Sequence, residues 1–315
     1  MLPAVKRPLR ALRDVGVVVL LVVTFTTLLM QFAQGSPGRA ILGPRASQDQ
    51  VDALNHTLGA DRPVIEQIGS SLAGYVRLDL GHSLSNPEQS VAGLAAGALP
   101  VTASIIGLTL AISLVGGVLA GLAGALSRPS VDRAVSAAAV SILSIPPFAL
   151  ALLLIVGVAI GLGLAPAGGW AGSWPANLSY AWLPSLALSG LLLPQIARTV
   201  QQRARELAGE EFIEAGEARG LSRSRLTFRH ILPNVLLPVI TIVGFNASFL
   251  IAGAVVVEAV FGVPGFGQVL STAVSERDYP VIQGLALLTA VTVVLINFLC
   301  EVLYVVADPR TRVAS

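Results

Sequence analysis

Cysteine, lysine and charge are all scarce in this chain of 315 residues. Cys300 is the only cysteine, so no disulfide scaffold can form within it. It lies in an apolar run and reads as a small packing residue. Lys6 is the only lysine among 20 basic residues. A phosphate-binding P-loop requires the lysine of G-x-x-x-x-G-K-[ST], and nothing of that form precedes Lys6. The chain therefore does not hydrolyse ATP through a P-loop of its own. Charged residues make up 12% and hydrophobic residues 54%, with a mean hydropathy of +0.77. That charge content is about half the share usual in a soluble domain. It excludes a disordered chain and argues against a water-soluble globule. The three histidines, His56, His82 and His230, fall in separate segments. There is no H-E-x-x-H and no Cys/His cluster, so no metal centre is expected. The net charge of +2 gives no reason to expect a nucleic-acid partner.

What the chain has instead is apolar runs. A bilayer core needs about 20 apolar residues in a helix. Six runs are long enough or nearly so: 15–33, 100–126, 134–161, 183–203 (short, with a polar continuation), 236–257 and 281–306. The first follows a basic start, Lys6, Arg7, Arg10 and Arg13. Its apolar length exceeds the h-region of a signal peptide, and it reads as an uncleaved first helix. Arginine placement orients the bundle. With residues 1–14 inside, the inner segments carry fifteen basic residues and the outer ones five, Arg39, Arg45, Arg62, Arg77 and Arg277. Positive-inside asymmetry then puts both the N-terminus and residues 307–315 in the cytoplasm. The expected fold is an all-α membrane protein of six transmembrane helices. An extracytoplasmic segment, 34–99, joins the first two, and a cytoplasmic helix interrupts the bundle between the fourth and fifth.

Within 34–99, Asp49 to Leu58 and Arg62 to Leu72 have helical spacing, and Leu58-Gly59 reads as a helix stop. In the third run, Pro146 and Pro147 remove two donors and predict a kink. Such a break serves either packing or the lining of a water-filled pathway. Glu258 and Glu301 lie near the ends of the fifth and sixth runs and read as packing or interface contacts rather than proton relays. Gly262-Val263-Pro264-Gly265-Phe266-Gly267 follows the fifth run on the outer side. It reads as a tight re-entrant turn at an outer gate, with Phe261, Pro264 and Phe266 as candidate gate residues, and not as a phosphate cradle.

The inner segment 204–233 is the most informative. Glu206, Glu210 and Glu214 recur every four residues, with Glu217 three later, and predict one acidic helical stripe. Gly220 suits the left-handed position past a helix end, and Leu221 the hydrophobic contact that accompanies it. Ser222 can then cap a second helix carrying Arg223, Arg225 and Arg229 and ending near Pro233. Two readings fit. One is a helix presented at the membrane surface to a soluble partner. The other is a solvated amphipathic linker with its arginines near anionic headgroups.

The order Glu214-Ala215-Gly216, Gly220, Leu232-Pro233 resembles the "EAA" loop of ABC importer permeases. That pattern often has Ala at the position of Gly216 and an aliphatic residue at His230. Further stretches resemble the dipeptide/oligopeptide/nickel subfamily, and the first of its two permeases in particular. They are Leu58-Gly59-Ala60-Asp61-Arg62-Pro63, Asp79-Leu80-Gly81-His82-Ser83-Leu84, Glu258 to Gly267, Arg277-Asp278-Tyr279-Pro280 and Tyr304 to Arg310. The resemblance implies a type I ABC importer permease fold in a bacterial inner membrane. It implies a non-catalytic subunit whose loop docks on a separate ATPase, with ATP and Mg bound there and no cofactor in this chain. Implied partners are two ATPase domains, a second homologous permease as a heterodimer, an extracytoplasmic solute-binding protein and the bilayer. The coupling residues it implies are Glu214, Ala215, Gly216, Gly220, Leu221, Ser222, Arg223, Arg225, Phe228, Leu232 and Pro233. Pro146 and Pro147 join Phe261, Pro264 and Phe266 as pathway candidates. Peptides are the expected substrate class. Nickel chelates and glutathione-type compounds are alternatives, and an ion-coupled secondary transporter is the rival from another class.

Overall fold

The computed structural model describes residues 3–32, 37–43, 45–59, 61–173 and 175–307. In chain order the helices are α1 (Pro3–Phe32), α2 (Pro37–Leu42), α3 (Gln48–Leu58), α4 (Val64–Val76), α5 (Val91–Leu126), α6 (Pro129–Leu143) and α7 (Pro147–Leu154). They continue as α8 (Asn177–Ser189), α9 (Leu193–Ala208), α10 (Glu211–Ala218), α11 (Arg223–Leu226), α12 (Leu232–Phe261), α13 (Phe266–Glu276) and α14 (Tyr279–Ala307). Two π-helical turns, Ile155–Gly161 and Thr227–Ile231, extend α7 and join α11 to α12. No β-strand occurs among the described residues; a single bridge pairs His82 with Ser90. The expected ending beyond Ala307 lies outside the described residues, as does the side chain of Glu301.

Three helices are long and apolar enough to cross a membrane alone among the described residues: α5, the continuous run Arg223–Phe261, and α14 over Tyr279–Cys300. The count rises to five if each of two bent pairs is one span. The first apolar run lies in α1. Large apolar side chains on these helices face outward, among them Leu21, Phe25, Val156, Ile160 and Leu295. In water such surface would drive aggregation; against lipid tails it is at home.

The prolines of the third run do more than kink it. Pro146 precedes and Pro147 begins a new helix, α7, which meets α6 at 106°. An amide-free residue is tolerated at a helix start, where its donor would be unused. Placed together, two of them end one helix and begin the next. The fourth run is also broken: α8 and α9 meet at 56° across Gly190-Leu191-Leu192. Gly190 sits where an added Cβ would fall 2.5 Å from Leu150 and 3.1 Å from the Ala187 carbonyl. The bend is thus packed against α7 and has no room for a larger residue.

The chain forms two compact units. The first comprises residues up to Thr102 together with Pro264–Leu295. Its core joins Val91, Ala95 and Ala98 of α5 to Phe266 and Ala273 of α13 and to Val281 and Leu285 of α14. Ser47 and Gln50 form a capping box at the start of α3, and Gly59 ends it at φ 67°. Helix α13 occupies ground where only a turn was expected. Its first amide, of Phe266, donates to the Thr102 hydroxyl at 2.9 Å. Gln283 of α14 donates to Thr26 (3.0 Å) and Thr27 (3.2 Å) of α1.

Two stretches of sequence far apart meet in this unit. Asp278, only 2% exposed, turns its carboxylate onto the segment that carries Gly81-His82-Ser83-Leu84. It accepts from the Ser83 hydroxyl, the Leu84 amide (3.1 Å) and the Ser85 amide (3.2 Å). The carboxylate thereby ties residues 83–85 to the start of α14.

The second unit comprises Ala103–Val263 and the residues from Ile296. Helix α8 is its most enclosed element, with eight of 13 residues buried. Ser185 of α8 donates to the Ile105 carbonyl and accepts, through its own carbonyl, from Thr109. Cys300 packs on the backbone of Gly244, as a small filler should. Glu258 is fully buried, near the end of α12.

Candidate functional site

Residues 204–233 depart from the expected acidic stripe. Glu206 ends α9 and pairs with Arg203 at 2.9 Å. The Arg203 guanidinium, then the Gln202 amide, hold the exposed Glu206 carboxyl below its ordinary range. The helix then stops at Gly209, and Glu210 is extended (φ −81°, ψ 143°). Only Glu214 and Glu217 share α10, so the four acids do not form one stripe. Regular spacing in sequence could not register the break, because Gly209 offered the only local signal.

The turn after α10 forms as its residues require. The Leu221 amide donates to the Gly216 carbonyl (3.1 Å) and the Gly220 amide to the Glu217 carbonyl (2.9 Å). These two bonds define a Schellman cap, with Gly220 at φ 79° in the left-handed position. Ser222 follows in extended geometry and accepts from the Arg225 amide at 3.4 Å. The capped helix does not end near Pro233, however. It runs through the π turn into α12, and Leu232 and Pro233 open that helix. A proline in the first turn lacks only a donor that the turn would not have used. Continuity therefore links the capped turn directly to a 30-residue helix.

The element has a small core of its own. Ile213, Leu226 and Ile231 are buried. A Cβ on Gly216 would lie 2.7 Å from Leu226 Cδ2 and 3.4 Å from Leu221 Cδ1. Glycine at this position lets both leucines rest on the backbone of α10. His230 stands 6.3 Å from the ring of Phe212, tilted by 51°. An aliphatic residue there would offer no such ring contact.

The outer face of the element is mixed. Phe212 is 47% and Phe228 63% exposed. Glu214, Ala215, Ser222, Arg223, Arg225 and Arg229 are exposed with them. None of those three arginines, nor Glu214, makes an ion pair among the described residues. A rigid apolar-plus-cationic surface suits a protein partner that offers an apolar pocket with acidic rims. Phe212 was not among the sequence candidates; its signal is the single aromatic of α10, two residues before Glu214.

The remaining candidates do not join this cluster. Pro146 and Pro147 mark the α6–α7 bend. Phe261 is buried at the end of α12, where its carbonyl accepts from the Gly169 amide at 2.9 Å. Gly262 closes α12 at φ 61° in a second Schellman cap, with the Val263 amide on the Glu258 carbonyl. Pro264 is exposed and Phe266 is buried at the start of α13.

Comparison with known proteins adds findings of three kinds. A family described as "Binding-protein-dependent transport system inner membrane component" matches residues 113–313. A putative peptide transport system permease protein of Brucella abortus is 35% identical over 303 residues, covering 94% of this chain and 95% of the relative. The glutathione transport system permease protein GsiC of Escherichia coli is 33% identical over 309 residues, with 98% of each chain covered. The di/tripeptide transport system permease protein DppB of Pseudomonas aeruginosa is 32% identical over 319 residues, covering 92% and 94%. Among solved structures, an inward-facing form of the MetNI methionine ABC transporter aligns with a TM-score of 0.53 at 21% identity. It covers 67% of this chain and 93% of that one, a likeness of fold.

Proposed function

Since the chain belongs to the family of binding-protein-dependent transport system inner membrane components, a family of non-catalytic ABC importer permeases, we propose that it carries peptides across the cytoplasmic membrane of a bacterium. The element from Glu210 to Arg229 takes the thrust of a separate ATPase. The observation that carries this reading is the Schellman-capped turn at Gly220, which fixes an exposed Phe/Arg surface on a helix continuous with α12. Six spans follow from α1, α5, the α6–α7 pair, the α8–α9 pair, α12 and α14. Fifteen basic residues against five support a cytoplasmic side for both termini and the docking element. A solute-binding protein meets the outer segment, and a second permease completes the pathway as a heterodimer.

Relatives named for peptide, di/tripeptide and glutathione transport support short peptides, glutathione included, over nickel chelates. The test is reconstitution in liposomes with two ATPase subunits, the second permease and the binding protein. Dipeptides or tripeptides should stimulate ATP hydrolysis and accumulate inside. Uptake driven by a proton or sodium gradient with no ATPase present would refute the reading.

A further inference from the structure

Helix α9 leads straight into the docking element, and it is held on three sides. Its backbone lies in a groove of glycines on α5. An added Cβ at Gly117 would fall 2.8 Å from Ile196 Cβ, and one at Gly121 would fall 2.6 Å from both the Ala197 carbonyl and Val200 Cβ. A backbone carbonyl and β-carbons cannot swing aside, so Ile196, Ala197 and Val200 of α9 rest directly on the α5 backbone with no α5 side chain between. On a second side, the amides of Gln195 and Asn246 of α12 bond reciprocally, 3.1 Å each way.

The third contact is the only charged one. Asp132, in the first turn of α6, accepts from the Arg205 guanidinium and from the Gln201 amide on the same oxygen. Its backbone carbonyl accepts from Gln201 too, at 3.1 Å. Ser136 donates to the other end of that amide at 3.3 Å. Gln201 and Arg205 are four residues apart, so one carboxylate grips one face of the last two turns of α9. Beyond them lie only Glu206 to Gly209 before the docking element begins. Helix α6 in turn runs to the 106° bend at Pro146.

We propose that Asp132 is a positioning residue for energy coupling. It locks the end of α9 to α6, so that displacement of the docking element reaches the bent α6–α7 pair. Without the lock, the strain is absorbed by flexing around Gly209 and hydrolysis proceeds without transport. This rests on the importer reading above.

The test uses the complete complex in liposomes and measures both ATP hydrolysed and peptide taken up. Asp132→Ala should hydrolyse ATP within about twofold of wild type while uptake per ATP falls at least about tenfold, an effect of the size seen for a lost charge-assisted contact. Asp132→Asn keeps an acceptor for Gln201 and loses the charge, and should fall between. Asp132→Arg combined with Arg205→Asp should regain part of the lost ratio. Wild-type uptake per ATP in both Asp132→Ala and Asp132→Asn overturns the proposal. So does a parallel loss of hydrolysis and uptake with a lowered thermal midpoint, which marks a fold contact alone. A wild-type complex that takes up peptide without consuming ATP instead sinks the importer reading itself.

Discussion

Substituting Gly220 separates backbone geometry from side-chain contact. No atom lies within 4 Å of where its Cβ would be, yet φ is +79°. Steric clash with neighbours therefore contributes nothing, and the whole cost is that of an L-residue in the left-handed region, about 1–2 kcal/mol. A β-branched residue sits at or above the top of that range and Ala at its lower end, whereas Asn visits the region readily. Since about 1.4 kcal/mol is a factor of ten, Gly220→Val should reduce the docking-competent turn roughly 10- to 30-fold relative to its unwound forms. Peptide-stimulated ATP hydrolysis, titrated against limiting ATPase subunit, should show the apparent affinity weakened in the order Val, Ala, Asn, with Asn within about twofold of wild type. Equal loss in all three variants would refute the argument, because it would mean that added bulk, not φ, sets the effect. Wild-type affinity in Gly220→Val would refute the role of the turn altogether.

Other changes test other links. Gly216→Ala drives a methyl into Leu226; it should weaken coupling modestly, and Leu226→Val in the same chain should recover part of the loss in the same titration. Gln195→Leu or Asn246→Leu alone leaves the other amide its own-helix carbonyl, Ile242 or Leu191, but strands its oxygen without the donor across the interface, at a cost of about 1–2 kcal/mol. The double variant should have a higher thermal midpoint in detergent than either single one, and a lower midpoint would count against the reciprocal pair. Asp278→Ala strands the Ser83 hydroxyl and the Leu84 and Ser85 amides, so about 3 kcal/mol is expected. Proteolysis between Gly81 and Ser90 should accelerate strongly, and less so in Asp278→Asn, which keeps an acceptor.

Much of the capped segment was legible in the sequence because its determinants are local. A glycine past a helix end, a leucine after it and a serine before three arginines specify caps within ten residues. Helices α3 and α4 were readable for the same reason. The α8–α9 bend and helix α13 were not, since neither has a strong local signal. The bend is held by packing of Gly190 on Leu150, and α13 by burial of Phe266 and Ala273 against α5 and α14. That Gly117 and Gly121 of α5 form the bed of α9 depends on which helix lies there, and no local pattern names it.

Composition and periodicity alone determined that this chain suits a membrane, has no P-loop of its own and carries a capped helix in its arginine-rich segment. The first and last follow from free energies that each residue carries wherever it sits: transfer to lipid and the φ preference of glycine. Only the tertiary structure decided that Asp278 meets Ser83, that Gln195 meets Asn246 and that Asp132 grips Gln201 and Arg205. Such pairings join residues from 51 to 195 positions apart. A polar side chain records in the sequence that it needs a partner, but not which helix will bring one within 3 Å.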